Sequence, residues 1–538
     1  MDAETAYLFR HAVLRDAVYQ LMLPGVRSEL HAKVVDAADA GPGLCLAARE
    51  VANHARAAQH DAAPGTAARM RERERHWLRI AQQTAHARSD LAAAVQILER
   101  LFELLRGTPE ELDARISLAC ALRETGNLQR AEQMLGDAGR EPPSDPVLAS
   151  RLQGALASVY IRTGRLREAA ALQDRLLEAH RAAGDESAVA ESLGMLGVTH
   201  YHLGDFERAE ACYRQALSMG ARGTDDSRLA RFTANLALLL ADAGRFDEAE
   251  HAQREAVRLA ELADDRLALA NSLGNYALLL TNLSRHAEAE HMYQRALQLE
   301  REIGHIPGYA VALANLGRLL RLQGRFDEAE RLLREAADLH HEVASSRNEG
   351  SALGQLADLF AAQGRFDESL EYFGRGIDLL AGANDVLYEG VLRTGRGRLR
   401  LLLTDLAGAR QDLSRATDLL GGSTPEAYRL YCLYPLQAYV AAAALAEGAS
   451  LTWVIAEVQR AVARYEQHPE VTDVRDIKGL LHELQRAQGE GGPPRLHCGC
   501  LPSLVAPGAL QPLLARLEQT NPSAAENLRR LLKGQLRP

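Results

Sequence analysis

Three asparagines, Asn235, Asn275 and Asn315, stand 40 residues apart. An amide side chain carries both a donor and an acceptor, so a row of them suits the backbone of an extended peptide and reads little of its sequence. Asn271 and Asn282 lie nearby, and Arg231, Glu191, His202, Asp242, Arg318 and Arg321 occupy flanking positions. Together these residues are the candidate lining of a peptide-binding groove. The same amides also suit bonds between neighbouring helices that lock a stack of repeats, so the sequence leaves both roles open.

Other chemistry is harder to assemble. His200 and His202 flank Tyr201, and His340 and His341 are adjacent; neither pair has the i, i+4 spacing that turns two imidazoles toward one ion. His497-Cys498-Gly499-Cys500 offers soft ligands, but no second pair is close in sequence. The acidic pairs Asp247-Glu248, Asp327-Glu328 and Asp367-Glu368 recur in register with the repeat, which suits the first turn of a helix better than an acid–base pair. Gly395-Arg396-Gly397 follows no strand. No GxxxxGK[ST] loop occurs, since none of Lys33, Lys478 and Lys533 follows a glycine. The chain is expected to be no enzyme and to hold neither cofactor nor metal.

Acidic residues outnumber basic ones, 72 to 62, and the two signs are interspersed. Nucleic-acid binding therefore lacks its electrostatic footprint. The apolar runs, such as Tyr439 to Ala446, are too short to span a bilayer. An acidic start with no apolar stretch behind it, and cysteines scattered singly at Cys45, Cys120, Cys212 and Cys432, make a reducing cytoplasm the expected compartment. Ala, Leu, Arg and Glu dominate while aromatics reach only 5%, which points to helices rather than strands.

The elements that must carry the asparagines are set by a recurring phrase. GRLREA begins at Gly164, GDFERA at Gly204, GRFDEA at Gly244, SRHAEA at Ser284, GRFDEA at Gly324, GRFDES at Gly364 and TDLAGA at Thr404. Looser copies start at Ser89 and Gly126. An apolar helical pattern precedes each mark and a second follows it. The glycine suits the left-handed residue past the first helix. Phe206, Phe246, Phe326 and Phe366 sit where an aromatic plugs the helix pair. Ala169, Ala209, Ala249, Ala289 and Ala329 sit where two helices come closest, as do Ala157, Gly197, Ala237, Ala277, Gly317 and Ala357 on the first helix and Ala216, Ala256, Ala296 and Ala336 on the second.

This pattern resembles the tetratricopeptide (TPR) repeat over about residues 89–420. The usual period is about 34 residues, and the longer period here resembles the kinesin-light-chain variant and the sensor arrays of bacterial signalling ATPases. The extra residues are expected between units, in stretches such as Ala183-Gly184-Asp185-Glu186 and Leu262-Ala263-Asp264-Asp265. The fold implied is an all-α, right-handed superhelix, a TPR solenoid.

The stretch FRHAVLRDAVYQLMLPGVRSELH, with Phe9, His11, Leu14, Tyr19, Arg27, Leu30 and His31, and Asn53-His54 further on, resembles the junction between ATPase module and repeat array in bacterial signal-transduction (STAND-type) and adenylate-cyclase-linked ATPases. That likeness implies a catalytic module outside this chain. The expected organisation is a helical junction segment at 1–88, an array of about nine to ten units at 89–466, a capping helix at 467–490, and a linker with a weakly ordered tail at 491–538. The expected function is a non-catalytic scaffold that binds a protein or peptide, with no nucleic-acid or membrane partner. The alternative is the regulatory sensor half of a bacterial ATPase, kinase or cyclase system.

Overall fold

The computed structural model describes residues 19–490 except 20, 41–46, 61, 88–89, 140–142, 144, 221–225, 422–428 and 467–474, and in the tail 510–520, 522 and 525. Phe9, His11, Leu14, Ser89, His497, Cys498 and Cys500 lie outside the described residues. The described residues contain helices and turns but no strand. None of these helices is long and apolar enough to cross a membrane. The chain separates into two units, Met1–Ala121 and Leu122–Pro538.

The first unit holds α1 (Pro24–Asp39), α2 (Ala48–Ala57), α3 (Pro64–Ala87), α4 (Leu91–Leu105) and most of α5 (Glu111–Glu124). Val35, Val51, Ala55 and Met70 form its core. Glu74 is buried there, and it accepts hydrogen bonds from Arg100 at 2.6 Å and from Gln59 at 2.6 Å, which answer its charge.

The second unit is built from helix pairs. After α6 (Leu128–Gly139) come α7 (Pro146–Arg162) with α8 (Leu166–Ala183), α9 (Glu186–Leu203) with α10 (Phe206–Gly220), and α11 (Asp226–Asp242) with α12 (Phe246–Leu262). Then follow α13 (Arg266–Asn282) with α14 (His286–Ile303), α15 (Ile306–Leu322) with α16 (Phe326–Glu342), α17 (Ser346–Ala362) with α18 (Phe366–Gly382), and α19 (Val386–Leu402) with α20 (Leu406–Leu420). Each mark from Gly164 to Thr404 is the break inside a pair. Gly164, Gly204, Gly244, Gly324 and Gly364 adopt positive φ there, and so do Ser284 at 59° and Thr404 at 64°.

The break between pairs is built the same way. Gly184, Asp264, Gly304, Ala344 and Asn384 are also left-handed. The stretches Ala183-Gly184-Asp185-Glu186 and Leu262-Ala263-Asp264-Asp265 are therefore short turns between units, flanked directly by helix. A 17-residue helix such as α12 or α13, closed by a three-residue turn, fills half the 40-residue period. Longer helices, not longer loops, account for the departure from the usual repeat.

Packing explains the small residues. Ala169, Ala209, Ala249, Ala289, Ala329 and Ala409 are fully buried at the crossings. Ser369 takes the same place in α18 and satisfies its hydroxyl on the Ala357 carbonyl at 2.7 Å. At Gly317 an added Cβ would lie 2.7 Å from Leu333, so the glycine lets a larger partner reach across.

In four successive units a ladder of ion pairs ties each to the one before it. Arg245 pairs with Glu248 on its own helix and with Glu210 one unit back; Arg285 pairs likewise with Glu288 and Glu250, Arg325 with Glu328 and Glu290, and Arg365 with Glu368 and Glu330, all at 2.6–2.8 Å. The hydrogen bond from each arginine holds Glu248, Glu288, Glu328 and Glu368 below the usual carboxylate range. The second acid of each recurring acidic pair thus bonds to a repeat arginine as well as sitting in the first turn of its helix.

Beyond α20 the chain forms a short π-helix (Arg429–Leu433), then α21 (Tyr434–Ala443), α22 (Leu451–Glu466) and α23 (Arg475–Glu490). Val454, Val458, Ile477, Leu480 and Leu484 close the end of the stack. In the tail, α24 (Leu510–Thr520) buries Leu514 and Leu517 in the same cluster as Phe366, and Arg516 pairs with Asp367 at 2.9 Å.

Replacing Ala249 or Ala289 with Leu should overpack a crossing that has no free volume and lower stability by about 1–3 kcal/mol. Urea unfolding of each variant against the parent chain checks this. An unchanged midpoint in both would mean that the crossings have room to spare.

Candidate functional site

The odd-numbered helices of the array pack on their partners and also on one another: α11 on α13, α13 on α15, α15 on α17 and α17 on α19. Successive even-numbered helices meet far less. A stack whose first helices converge while its second helices diverge curves with the first helices inside. The odd-numbered helices therefore form the inner wall.

The array also comes back to itself. The Ser346 hydroxyl donates to the Thr125 carbonyl at 3.4 Å, across 221 residues. A Cβ on Gly126 would lie 3.2 Å from that of Ala383. Asp385, almost wholly buried, accepts from Arg347 at 2.5 Å, sits 3.6 Å from Arg162, and caps α19 by accepting from the Tyr388 N–H. Two guanidiniums and a backbone donor compensate this carboxylate for its lost water. One turn of the superhelix thus takes about five and a half units, and the inner wall encloses a channel.

Asn235, Asn275 and Asn315 lie on α11, α13 and α15 and are half-buried. None of the three side-chain amides makes a hydrogen bond among the described residues. The column continues one unit further as Gln355 on α17, whose buried Oε1 has no hydrogen-bond partner. The equal spacing makes Gln355 legible in the sequence, but a search for asparagine alone passes over it.

The flanking candidates divide into two groups. Asn271, Asn282 and Arg231 are exposed, and Arg231 pairs with Glu191 of the preceding unit at 2.6 Å. His202, Asp242, Arg318 and Arg321 lie deeper. The Tyr201 hydroxyl donates to Asp242, whose carboxyl burial holds above the usual range against that bond. Burial, with Arg347 adding to it, depresses the His202 imidazole to about 4. Arg318 stands beside the buried Tyr293 hydroxyl, and its own Nη2 has no partner. Arg321 faces Asp358, with Arg398 also within electrostatic reach.

Arg162, Arg347, Asp358, Asp385 and Arg398 were not among the sequence candidates. Asp358 and Arg398 follow Arg318 at the 40-residue interval, so the phase alone points to them. Arg162 and Asp385 share no phase. Only the closure of the superhelix brings them together.

In the first unit, Tyr19, Arg27, His31 and His54 form one contact cluster. The Tyr19 hydroxyl lies 2.7 Å from His31 Nε2, His31 Nδ1 lies 2.7 Å from His54 Nδ1, and the Arg27 guanidinium sits over the Tyr19 ring at 5.4 Å. No group of three or more His, Cys, Asp or Glu side chains with the geometry of a metal site occurs among the described residues.

The sequence profile of the MalT-like TPR region matches residues 224–532, more than half of the chain. This chain belongs to the MalT-like TPR family. A second profile, described as tetratricopeptide repeat, matches residues 148–221, so the two together span most of the array. Cellulose synthase operon protein C of Xanthomonas axonopodis pv. citri (strain 306) is 38% identical over 122 residues, which are 22% of this MalT-like TPR chain and 8% of that protein. The chain therefore corresponds to a small part of that relative's length. Among solved structures, a Rap protein complexed with competence and sporulation factor is 16% identical, covers 71% of this chain and 99% of its own, and superposes with a TM-score of 0.42. The quorum sensor NprR of B. thuringiensis, in its apo form, is 16% identical over 66% of this chain and 98% of its own, with a TM-score of 0.40. BtubC of P. vanneervenii is 23% identical over 41% of this chain and 92% of its own, with a TM-score of 0.36.

The depressed imidazoles of this MalT-like TPR array make its stability pH-dependent. His202 and His340 both titrate near 4 in the folded chain, burial being the leading cause for each. Unfolded, each takes up a proton near 6.5. The unfolded state therefore binds more protons between these values. Stability is full above about pH 6.5 and falls as the pH drops toward 4. Melting temperatures measured between pH 7.5 and 5 should decline for the parent chain and decline less steeply for a His202→Gln, His340→Gln double variant.

Proposed function

We propose that this chain is a non-catalytic scaffold that binds an extended segment of another protein along the inner wall of its superhelix. The observation that carries this reading is the amide column. Asn235, Asn275, Asn315 and Gln355 stand in one phase on successive inner helices, and their amides carry no hydrogen bond among the described residues. Side chains that locked the stack would be bonded to neighbouring helices. Stacking here is instead supplied by the alanine crossings and the arginine–glutamate ladder. A row of unengaged donors and acceptors at equal intervals suits a ligand whose own polar groups repeat, and a peptide backbone is such a ligand.

A second reading has its own observation. The residues of the N-terminal junction likeness that the structure describes, Tyr19, Arg27 and His31, meet His54 in one cluster. This supports the sensor half of a signalling ATPase, kinase or cyclase system, with the array sensing and the first unit relaying. The two readings share the groove and differ in what the groove controls.

An Asn235→Ala, Asn275→Ala, Asn315→Ala variant should keep the circular dichroism spectrum and melting curve of the parent. If each amide holds a ligand backbone, each loss removes about 0.5–1.5 kcal/mol of binding. The triple variant should then fail to retain the proteins that the parent chain pulls down, as identified by mass spectrometry. Equal retention by the two would remove the amide column from the binding surface.

A further inference from the structure

The inner wall is not uniform along the array. From α9 to α19 each inner helix packs on the next one, but α7 and α9 barely meet. A cavity of about 230 Å³ lies between them, against α8. α7 contributes Ser150 and Gly154 to its lining, α8 contributes Gln173 and Leu176, and α9 contributes Ala188 and Met195. Ser150, Gly154 and Met195 stay partly exposed, so the cavity is open to solvent. Met195 stands where the next three units carry Asn235, Asn275 and Asn315, so the amide column does not extend to this place.

The 40-residue phase shows what is missing here. Gln173 holds the position that Tyr213, Tyr293 and Phe373 fill with buried rings and Leu333 fills with a buried branched chain. Gln253 shares the position, and its amide is satisfied, since Nε2 donates to the Ser272 carbonyl at 2.8 Å. Gln173 is only half satisfied. Its Oε1 accepts from the Thr199 hydroxyl at 2.7 Å, while its buried Nε2 has no hydrogen-bond partner among the described residues. The other polar groups of the lining are engaged. His180 meets Ser150 at 3.0 Å through Nε2 and Ser192 at 2.8 Å through Nδ1, and the Glu191 carboxylate is met by Arg231 at 2.6 Å and Arg228 at 3.7 Å. One buried donor is left over, with no unanswered charge beside it. Leaving such a donor unbonded is costly, and it calls for an explanation.

We propose that this cavity binds a small neutral aromatic group whose oxygen accepts a hydrogen bond from Gln173 Nε2. An apolar cavity of about 150 Å³ takes up benzene, so one of about 230 Å³ suits a ring with a short polar substituent. The ring stands in for the aromatic side chain that later units supply from their own chain. Leu176 and Met195 pack on it, and a thioether against a ring is a favourable contact. A charged ligand is disfavoured, because no group of the lining is free to balance it. An indole only donates, so it does not answer Gln173. The ring belongs either to a free small molecule or to an aromatic side chain of a bound segment.

Ligand-observed NMR titration of the full chain with acetophenone and with ethylbenzene, which differ in the carbonyl oxygen, tests this. Both should bind the parent. Gln173→Leu should weaken acetophenone about two- to tenfold, the loss of one hydrogen bond, and leave ethylbenzene as tight or tighter. A merely structural role for Gln173 moves both probes alike. Gln173→Met replaces the Leu variant if that one fails to fold, and should give the same split. Gln173→Tyr supplies the ring from the chain itself, as Tyr213 and Tyr293 do, and should abolish both probes while keeping the circular dichroism spectrum. No saturable binding by the parent, an equal effect of Gln173→Leu on the two probes, or binding that survives Gln173→Tyr would overturn the site. The Asn235→Ala, Asn275→Ala, Asn315→Ala variant should bind acetophenone like the parent, so failure of the amide column leaves this site standing. Pull-down with Gln173→Tyr separates the sources: unchanged retention of the parent's partners assigns the ring to a free molecule, and lost retention assigns it to a side chain of the segment.

Discussion

From Gly164 to Thr404, the backbone enters the left-handed region once every 20 residues wherever that residue is described. Everything else in the array depends on this interval. Because both turns have the same length, every helix starts in the same rotational phase as the helix 40 residues earlier. A residue type repeated at that spacing therefore forms a straight column on one face. The interval holds even where no glycine supplies it: Ser284, Thr404, Asp264, Ala344 and Asn384 all adopt positive φ. That conformation is unfavourable for a side chain with a Cβ, and the packing of both flanking helices holds it in place.

Two kinds of column then divide the labour. The alanine columns bring the helices of a pair into contact and leave no room to slide. The arginine–glutamate ladder joins one pair to the next. Surface ion pairs are individually weak, but each arginine here engages two carboxylates in a fixed fork, and the motif repeats through four successive units. Its consequence is directional. It ties each pair to the one before it, and the small turns that packing sets between pairs accumulate until Arg162 meets Asp385.

Closure changes the character of the inner wall. Groups such as His202, Asp242 and Asp358 would be ordinary polar surface in an open stack. Inside the channel they are desolvated, and burial is the leading cause of the shifted titration of each. The same enclosure raises the penalty for polar atoms left unbonded. The unengaged amides and guanidiniums of the wall therefore stand in an environment where a ligand's complementary groups count for more than they would on an exposed surface.

Much of this was legible along the chain. The helical class, the breaks at Gly164, Gly204, Gly244, Gly324 and Gly364, the small residues at the crossings and the asparagine column all follow from local rules, because turn geometry, close approach and helical phase act over one or two helices. The left-handed turns between units were less so, since Asp264 and Ala344 carry no local mark of one. What only the tertiary structure decided is which columns face one another. The partner of Arg285 is Glu250 of the preceding unit, the partner of Arg162 is Asp385 on the far side of the turn, and Arg318 and Arg398 are left without a carboxylate. Those outcomes depend on the rotation between successive pairs. That rotation is a small angle set by the summed packing of whole helices and multiplied over five and a half units, so no short stretch of sequence carries it.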